Sequence, residues 1–244
     1  MANGTVDIDR VYQKVLALAN KEQRGYITPQ EFNLFADQAQ FEIFENYFHD
    51  VKTARLKPTN DSNISDELDI LREKISIHRA DGVTLSVGTG SNDGFHLVSS
   101  STYMITRVYK EESGGGFLEF KEVDLNDLAN IMNNQLTAPR VSTPIYVKNS
   151  YNKIKIYPTA SYSTTDNIKY DVIRKPEKPV WGYVVVNNKA LNNPATTTDF
   201  DLHESEENNL VMRILELSGI AMKETELVQM AARDRASTKA EKNN

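Results

Sequence analysis

The sequence has no cysteine among its 244 residues. A chain without thiols can form no disulfide, no thiolate metal site and no cysteine nucleophile. Apolar residues make up only 39% of the chain, which is below ordinary globular usage. We therefore expect a protomer that buries part of its apolar surface against neighbouring subunits.

Long apolar runs and dense positive charge are also missing. No segment approaches the length of a membrane span, and the N-terminal sequence MANGTVDIDR lacks the basic and apolar parts of a signal peptide. We expect a soluble chain that starts in the cytoplasm and has no membrane partner. The formal net charge of −6, without a basic stripe, argues against a surface that grips nucleic-acid phosphates.

Two segments have the composition of ligand-binding loops but lack their key residues. The sequence GTGSNDG at 88–94 could cradle a phosphate, yet no Gly-Lys-Ser/Thr follows it, so a hairpin tip is favoured. The sequence DSNISDELD resembles a calcium loop, but Asp66 stands at the glycine position and Arg72 replaces the bidentate glutamate. Neither segment predicts a binding site.

Catalytic residues are equally hard to find. The four histidines are far apart in the sequence, and no serine lies in a Gly-x-Ser-x-Gly motif. Asp199 and Asp201 could share a strand face, but so could many solvated pairs. We predict no catalytic residue, no cofactor and no metal, and hence no enzyme; a hydrolase would need a cleft that the sequence does not indicate.

The pattern of apolar residues predicts helices at both ends of the chain. Apolar positions from Ile8 to Ala19, Leu18 among them, give a first amphipathic helix that ends near Gly25. A second helix begins with the capping box Thr28–Glu31 around Pro29. Two further helices, one starting at Ser205 with Leu215 in its apolar stripe and one over ETELVQMAARD, precede the polar tail.

Short alternating runs separated by turn residues predict strands between these helices, interrupted by one helix behind Asp124. The predicted fold is therefore α+β, with N- and C-terminal helices packed as a helical bundle and a β-rich, antiparallel segment inserted between them. The predicted divisions are 1–74 for the N-terminal helices, 75–204 for the β-rich segment, 205–235 for the C-terminal helices and 236–244 for the tail.

The second helix carries more aromatic rings than one face needs. Phe32, Ala36, Ala39, Ile43 and Tyr47 form one stripe at helical spacing, which should face the core. The remaining rings could pack on other helices of the same chain or on a neighbouring subunit. Our hypothesis is that rings on this helix pack on a neighbouring subunit, in an interface formed by Phe35, Phe41, Phe44 and Phe48.

Three segments stand out together: the N-terminal VDIDRVYQKVLALANKEQRGYITPQEFNLFADQAQFEIFENYF, the central TPIYVKNSYNKIKIYP with IKYDVIRKPEKPVW, and the C-terminal DFDLHESEENNLVMRILELSGI. Together they resemble virion structural proteins of tailed bacteriophages, including crAss-like phages. The similarity spans most of the chain. It implies a head-to-tail connector component, that is, an adaptor or ring protein beneath the portal.

The resemblance also implies partners and a location. The expected assembly is a homo-oligomer, a dodecameric ring, that contacts the portal protein and other connector or tail proteins. DNA would pass through its channel without specific binding, and the chain would be found in the virion after assembly in the host cytoplasm. The net negative charge is compatible with such a channel.

A carbohydrate- or receptor-binding module of the virion or tail is the alternative function. Five tyrosines of the β-rich segment could offer stacking surfaces for sugars. They are Tyr146, Tyr151, Tyr157, Tyr162 and Tyr170. Alternating tyrosines in strands also serve sheet packing, so the sequence leaves both readings open.

Overall fold

The structure is a computed structural model that describes residues 5–21, 27–56, 62–87, 95–112, 114–162, 168–187 and 189–221. The chain divides into two compact units. The helical unit comprises Met1–Ile77 and Pro176–Asn244, and the sheet unit comprises His78–Lys175. The fold is α+β, as the sequence predicts.

The helical unit contains four of the described helices: α1 (Ile8–Lys21), α2 (Pro29–Leu56), α3 (Ser62–Ser76) and α5 (Glu207–Ala221). Residues of α1, α2 and α5 share one apolar core, which Leu71 of α3 also joins. The predicted stripe of α2 lies in this core, and Leu215 of α5 is buried there as well. Leu18 of α1 is exposed, so its assignment to the buried stripe was wrong.

The capping box at the start of α2 is confirmed. The Thr28 backbone N–H donates to the Glu31 carboxylate at 2.9 Å, and the Glu31 N–H donates back to the Thr28 hydroxyl at 3.3 Å. The Glu31 carboxylate also accepts from the Thr28 hydroxyl at 2.7 Å, and the two bonds that it accepts from Thr28 lower the pKa of Glu31 below its ordinary value. Pro29 occupies the first helical position, where a missing N–H costs nothing.

One predicted helix start needs correction, and one segment that resembled a ligand loop is helical. Helix α3 begins at Ser62 and covers the segment that resembled a calcium loop, so Asp66 lies on a helix. Helix α5 follows a 3₁₀ turn at Glu204–Glu206, in which Ser205 donates its N–H to His203 Nδ1 at 3.2 Å. Gly25, the 88–94 segment, the predicted last helix and the tail lie outside the described residues.

The segment 176–203 belongs to the helical unit and was wrongly assigned to the β-rich insertion. Trp181, Phe200 and Leu202 lie in the same apolar core as the helices. Val6 donates its N–H to the Leu202 carbonyl, and Phe200 donates to the Val6 carbonyl, each at 3.2 Å. The compact sheet unit therefore ends at Lys175.

Eight of the described strands form one sheet in the order β1-β8-β4-β5-β6-β7-β3-β2. All pairs are antiparallel except β5–β6, which is parallel and corrects the expectation of a purely antiparallel segment. The strands are β1 (Arg79–Thr84), β2 (Ser86–Val87), β3 (Phe95–Leu97), β4 (Thr102–Glu111), β5 (Phe117–Glu122), β6 (Ile145–Ser150), β7 (Lys153–Tyr157) and β8 (Ile168–Arg174).

The parallel pair explains the helix inside the sheet unit. Adjacent parallel strands need a crossover connection, and α4 (Leu128–Asn133) lies between β5 and β6 in the chain. Leu128 and Ile131 pack on the small core of Val123, Ile145 and Val147. The helix begins at Leu128 and not directly behind Asp124, which accepts from the Asn126 N–H in a preceding turn instead of capping the helix.

Two further strands form a separate two-stranded sheet in the helical unit. Strand β9 (Tyr183–Val186) pairs antiparallel with β10 (Lys189–Asn192), and Val186 lies opposite Lys189. Two residues join them, and Asn187 has φ of 50°, the left-handed conformation that a tight hairpin turn favours. We call residues 183–192 the valine hairpin.

Candidate interaction surface

The four predicted interface rings of α2 differ in exposure. Phe44 is fully buried and cannot offer its ring to a neighbour, so it is removed from the hypothesis. Phe35 is half-buried against the core of the helical unit, and Phe48 is half-buried with its ring centroid 5.1 Å from that of Phe44. Phe41 is 40% exposed and is the most accessible of the four.

Leu34 extends the exposed part of α2. It precedes Phe41 by seven residues, so the two side chains lie on one face of the helix, two turns apart. Leu34 is more exposed than Phe41. Sequence reasoning missed it because Leu34 falls outside the aromatic pattern, although its seven-residue spacing from Phe41 was a visible signal. Leu34 and Phe41 together form a small apolar patch.

The valine hairpin exposes more apolar surface than this patch. Val184, Val185 and Val186 are 46%, 66% and 47% exposed, and Leu191 on the partner strand is exposed too. Tyr183 and Ala190 pack against the core of the helical unit, which fixes the base of the hairpin. Three consecutive exposed valines therefore project from a firmly attached base.

Trp181 provides that attachment. Its ring is buried, with its centroid 4.0 Å from that of Tyr12 and 5.8 Å from that of Tyr183. The indole Nε1–H donates to the Asp9 carboxylate at 2.8 Å. The Asn33 side chain accepts from the Trp181 N–H at 2.8 Å and donates to its carbonyl at 3.3 Å. Helices α1 and α2 thus both hold the start of the hairpin.

Gly182, the next residue, admits no side chain. A Cβ atom there would lie 2.2 Å from the Thr196 hydroxyl oxygen and 2.6 Å from the Thr196 backbone carbon. The Gly182 N–H donates to the Thr197 hydroxyl at 3.2 Å, and its carbonyl accepts from Asn193 at 2.9 Å. The segment after the hairpin therefore closes tightly over the residue that precedes it.

A second polar contact on α2 fastens the same segment. Gln40 is buried, donates to the Glu177 carbonyl at 2.7 Å and accepts from the Asp201 N–H at 2.8 Å. Asn33 and Gln40 are seven residues apart, so one face of α2 supplies both contacts. This arrangement holds the two ends of 177–201 on the helix that also carries the exposed Leu34 and Phe41.

The free edges of the two sheets differ in the features that discourage pairing with another chain. In the eight-stranded sheet, edge strand β1 carries the ion pair Arg79–Asp81 at 2.6 Å and an irregularity around Gly82, and edge strand β2 has two residues. Charge, bulges and shortness all discourage pairing with another chain. The valine hairpin has one charged residue, Lys189, and no proline in either strand. Its edges lack this protection.

The sheet unit has its own exposed apolar residues, grouped around α4. Leu136 is 91% exposed, and three neighbours in the 124–143 connection are exposed as well: Leu125, Met132 and Val141. These four side chains lie on a connection of turns and one short helix, in the other compact unit.

The most deeply buried carboxylate among the described residues of the sheet unit has a structural role. Asp171 of β8 pairs with Arg107 of β4, whose Nη2 lies 2.8 Å away, and accepts from the Gly82 N–H at 2.9 Å. Strand β1 is irregular around Gly82, and β4 is irregular directly before Arg107. Asp171 therefore satisfies the Gly82 N–H in the irregular part of β1 and holds the Arg107 side chain of β4.

The five tyrosines of the sugar-binding alternative are mostly inside the sheet unit. Tyr146, Tyr162 and Tyr170 are buried in its apolar core. Tyr157 is half-buried, and Tyr151 is exposed with the Lys175 ammonium 4.6 Å from its ring centroid. Of the five tyrosines that could stack on sugars, only Tyr151 is therefore exposed.

Charge is divided unevenly between the units. Of the 28 basic and 34 acidic residues of the chain, 11 and 10 fall within 78–175, which leaves 17 basic and 24 acidic residues for the helical unit. The acidic excess therefore belongs to the unit that carries the valine hairpin.

Asp199, one of the two carboxylates that could share a strand face, accepts from the Ile8 N–H at 3.1 Å at the start of α1.

The described residues include no group of three or more His, Asp or Glu side chains that could hold a metal ion. Among the described helices, none combines the length and apolar character of a membrane span. Neither a protein-family model nor a curated protein sequence matches the chain.

Proposed function

We propose that this chain is a structural, non-enzymatic subunit of a phage head-to-tail connector. It would form a ring beneath the portal, join the capsid to the tail and surround the channel through which DNA leaves. The resemblance of three long segments to tailed-phage virion proteins supports the proposal. The protein would then be found in the virion, after assembly in the host cytoplasm.

The observation that carries the proposal is the exposed valine hairpin on the helical unit. Exposed apolar strands with unprotected edges promote association, and soluble monomers usually blunt such edges. The chain does blunt the edges of its large sheet. In an assembly subunit, an unprotected strand edge can pair with a neighbouring subunit.

The helical unit would serve as the rigid body of the ring. In this proposal the N- and C-terminal helices form a single bundle, with the sheet unit inserted between them in the chain. The shared core of α1, α2 and α5 supports this arrangement. Two ion pairs to Glu207 add to it, from Arg10 at 2.8 Å and from Lys14 at 2.5 Å.

The acidic excess of the helical unit suits a DNA channel. A lining that carried many Lys and Arg side chains would bind phosphates and slow the passage of DNA. A negative lining repels phosphate and leaves the channel free. We expect no specific DNA binding by the ring, and a weak electrostatic attraction at most from the nearly neutral sheet unit.

Assembly can be followed with purified protein. We expect the isolated chain to be monomeric or weakly associated, and a closed dodecameric ring to form when the portal protein of the same phage is added. Mass photometry before and after mixing gives the stoichiometry, and electron microscopy gives the symmetry. A stable dimer at nanomolar concentration, unchanged by the portal, would contradict this assembly.

The location of the chain in virions tests the function itself. Averaged electron-microscopy images of the purified particle should show the fold of both units in a ring directly beneath the portal. Density for this chain in a tail fibre would favour the sugar- or receptor-binding alternative instead. Glycan-array binding by the monomer would favour it as well, with Tyr151 as its remaining exposed ring.

A further inference from the structure

We infer that the valine hairpin is the element through which one copy of this chain binds the next, by antiparallel pairing of β9 in one copy with β10 in its neighbour. The inference rests on the homo-oligomer of the proposed function but not on the portal. It assigns the contact to a named pair of strand edges.

The hydrogen-bond pattern shows which backbone groups are available. Asn193 donates to the Gly182 carbonyl, and Gly182 and Asn193 occupy the rung next to Tyr183 and Asn192. Bonded and non-bonded rungs alternate along an antiparallel pair. The Val184–Leu191 and Val186–Lys189 rungs are therefore bonded within the hairpin.

It follows that Val185 and Ala190, which lie opposite each other, direct their N–H and C=O groups away from the hairpin. Val185 does so on the β9 edge and Ala190 on the β10 edge. Neither makes a backbone hydrogen bond to a described residue outside the hairpin. Each hairpin thus offers two edges of identical hydrogen-bonding character but opposite strand direction.

A second copy is the occupant that fits both edges. When copies are related by rotation about one axis, β9 of one copy runs antiparallel to β10 of the next. Each such contact uses one β9 edge and one β10 edge, so a closed cycle leaves none free. Pairing of β9 with β9 about a two-fold axis would instead leave both β10 edges open.

The side chains favour the same contact. Strand pairing places the exposed valines of one copy beside Leu191 and Ala190 of the next, and β-branched residues pack well on a pleated surface. Lys189 is the one charged residue of the two strands, so like charges do not meet across the new pair. A two-stranded sheet also gains stability when further strands join it.

The absence of native cysteine allows a direct test by disulfide trapping. Two variants of the full chain, Val185→Cys and Ala190→Cys, each carry a single thiol. Neighbouring residues of paired antiparallel strands lie at the Cα separation that a disulfide requires. The two variants are mixed in equal amounts and oxidised, and the products are resolved by mass spectrometry.

We expect the mixed 185–190 disulfide to exceed clearly the half share that random collision gives. The variant Leu34→Cys, with its thiol on the exposed face of α2, provides the collisional control. Excess Val185→Cys homodimer would indicate two-fold pairing and overturn the cyclic contact. If the mixed disulfide forms only the half share that random collision gives, the inference of strand-edge pairing is overturned.

Two further variants separate backbone pairing from simple apolar contact. Val185→Pro removes the outward N–H at a position where proline is tolerated, and Val185→Thr keeps that donor with a more polar side chain. Sedimentation velocity, at a protein concentration high enough for the unsubstituted chain to associate weakly, should show that proline abolishes self-association and threonine largely retains it. Equal association of both variants would overturn the inference. Circular dichroism establishes that each variant is folded.

The outcome distinguishes this inference from the proposed function. Mixed disulfides without any ring on the portal would leave the hairpin contact standing and remove the connector. A portal-bound ring with statistical disulfides would leave the connector standing and remove the hairpin contact.

Discussion

Trp181 and Asp9 are joined by a hydrogen bond of 2.8 Å although they are 172 positions apart in the chain. The bond links the first turn of α1 to the segment that returns from the sheet unit. It places the base of the valine hairpin on the N-terminal helix. The attachment of the hairpin is therefore part of the core and not of a surface loop.

The contribution of this bond can be measured by a double-mutant cycle. Trp181→Phe keeps an aromatic ring next to Tyr12 but removes the indole donor, and Asp9→Ala removes the acceptor. We expect a coupling free energy of about 1–3 kcal/mol from urea unfolding, as for hydrogen bonds to charged groups. Additive effects of the two substitutions would mean that packing alone holds Trp181.

Gly182→Ala tests the close approach behind the hairpin. The added methyl group would overlap Thr196, so its backbone must shift, and we expect a loss of about 1–3 kcal/mol of unfolding free energy. Gly114→Ala is the matched control, since nothing lies within 4 Å of its Cβ position. Thermal unfolding of both variants gives the comparison; equal midpoints would contradict the predicted overlap.

Leu215→Ala should show that the stripe of α5 is core. Leu215 is buried in the helical unit, and removing its side chain should cost about 2–5 kcal/mol. Leu34→Ala, on the exposed face of α2, should change stability by no more than about 0.5 kcal/mol. An unchanged denaturation midpoint for Leu215→Ala would mean that this stripe does not stabilise the monomer.

Ile43 and Phe41 separate folding from association on α2. Ile43 is 4% exposed and Phe41 is 40% exposed. Ile43→Asp buries an unpaired charge and should unfold or strongly destabilise the protomer. Phe41→Asp should leave the monomer folded and weaken ring assembly. Circular dichroism, followed by assembly on the portal, distinguishes a folding defect from an assembly defect. Loss of folding in Phe41→Asp would mean that the Phe41 side chain belongs to the core of the protomer.

The pKa of Glu122 provides a test within the sheet unit. Burial raises this pKa, but hydrogen bonds from Lys148 and Tyr146 outweigh that effect and hold it below the ordinary value. Tyr146 donates at 2.8 Å, so Tyr146→Phe should raise the Glu122 pKa. Carboxyl NMR titration measures the shift, with Tyr151→Phe as a control that leaves Glu122 untouched.

The sign of the linked pH effect follows from the direction of this shift. Because the folded-state pKa is depressed, ionised Glu122 stabilises the fold above its unfolded pKa of about 4.3. The contribution is lost as the pH falls through the folded value. Tyr146→Phe should therefore narrow the stability difference between neutral and acidic solution. An unchanged pH dependence would assign the acid sensitivity to other groups.

Local patterns in the sequence were sufficient for the helices of the helical unit. The Thr28–Glu31 capping box, the stripe that includes Ile43 and the burial of Leu215 depend on residues a few positions apart, and helix geometry converts such spacing into a face. The α+β class follows from the same periodicities. They could not show that Phe44 is buried, because the spacing of a ring says nothing about which other segment covers it.

Only the tertiary structure decided where the segment 176–203 belongs and that its three consecutive valines are exposed. As a sequence, PVWGYVVV is an ordinary strand pattern. Its attachment depends on Asp9 and Asn33, more than 140 positions away, and on the close approach of Thr196, which the missing side chain of Gly182 allows. Whether a strand is central, covered or a free edge depends on which other strands pair with it, and this long-range pairing leaves no periodic trace in the strand itself.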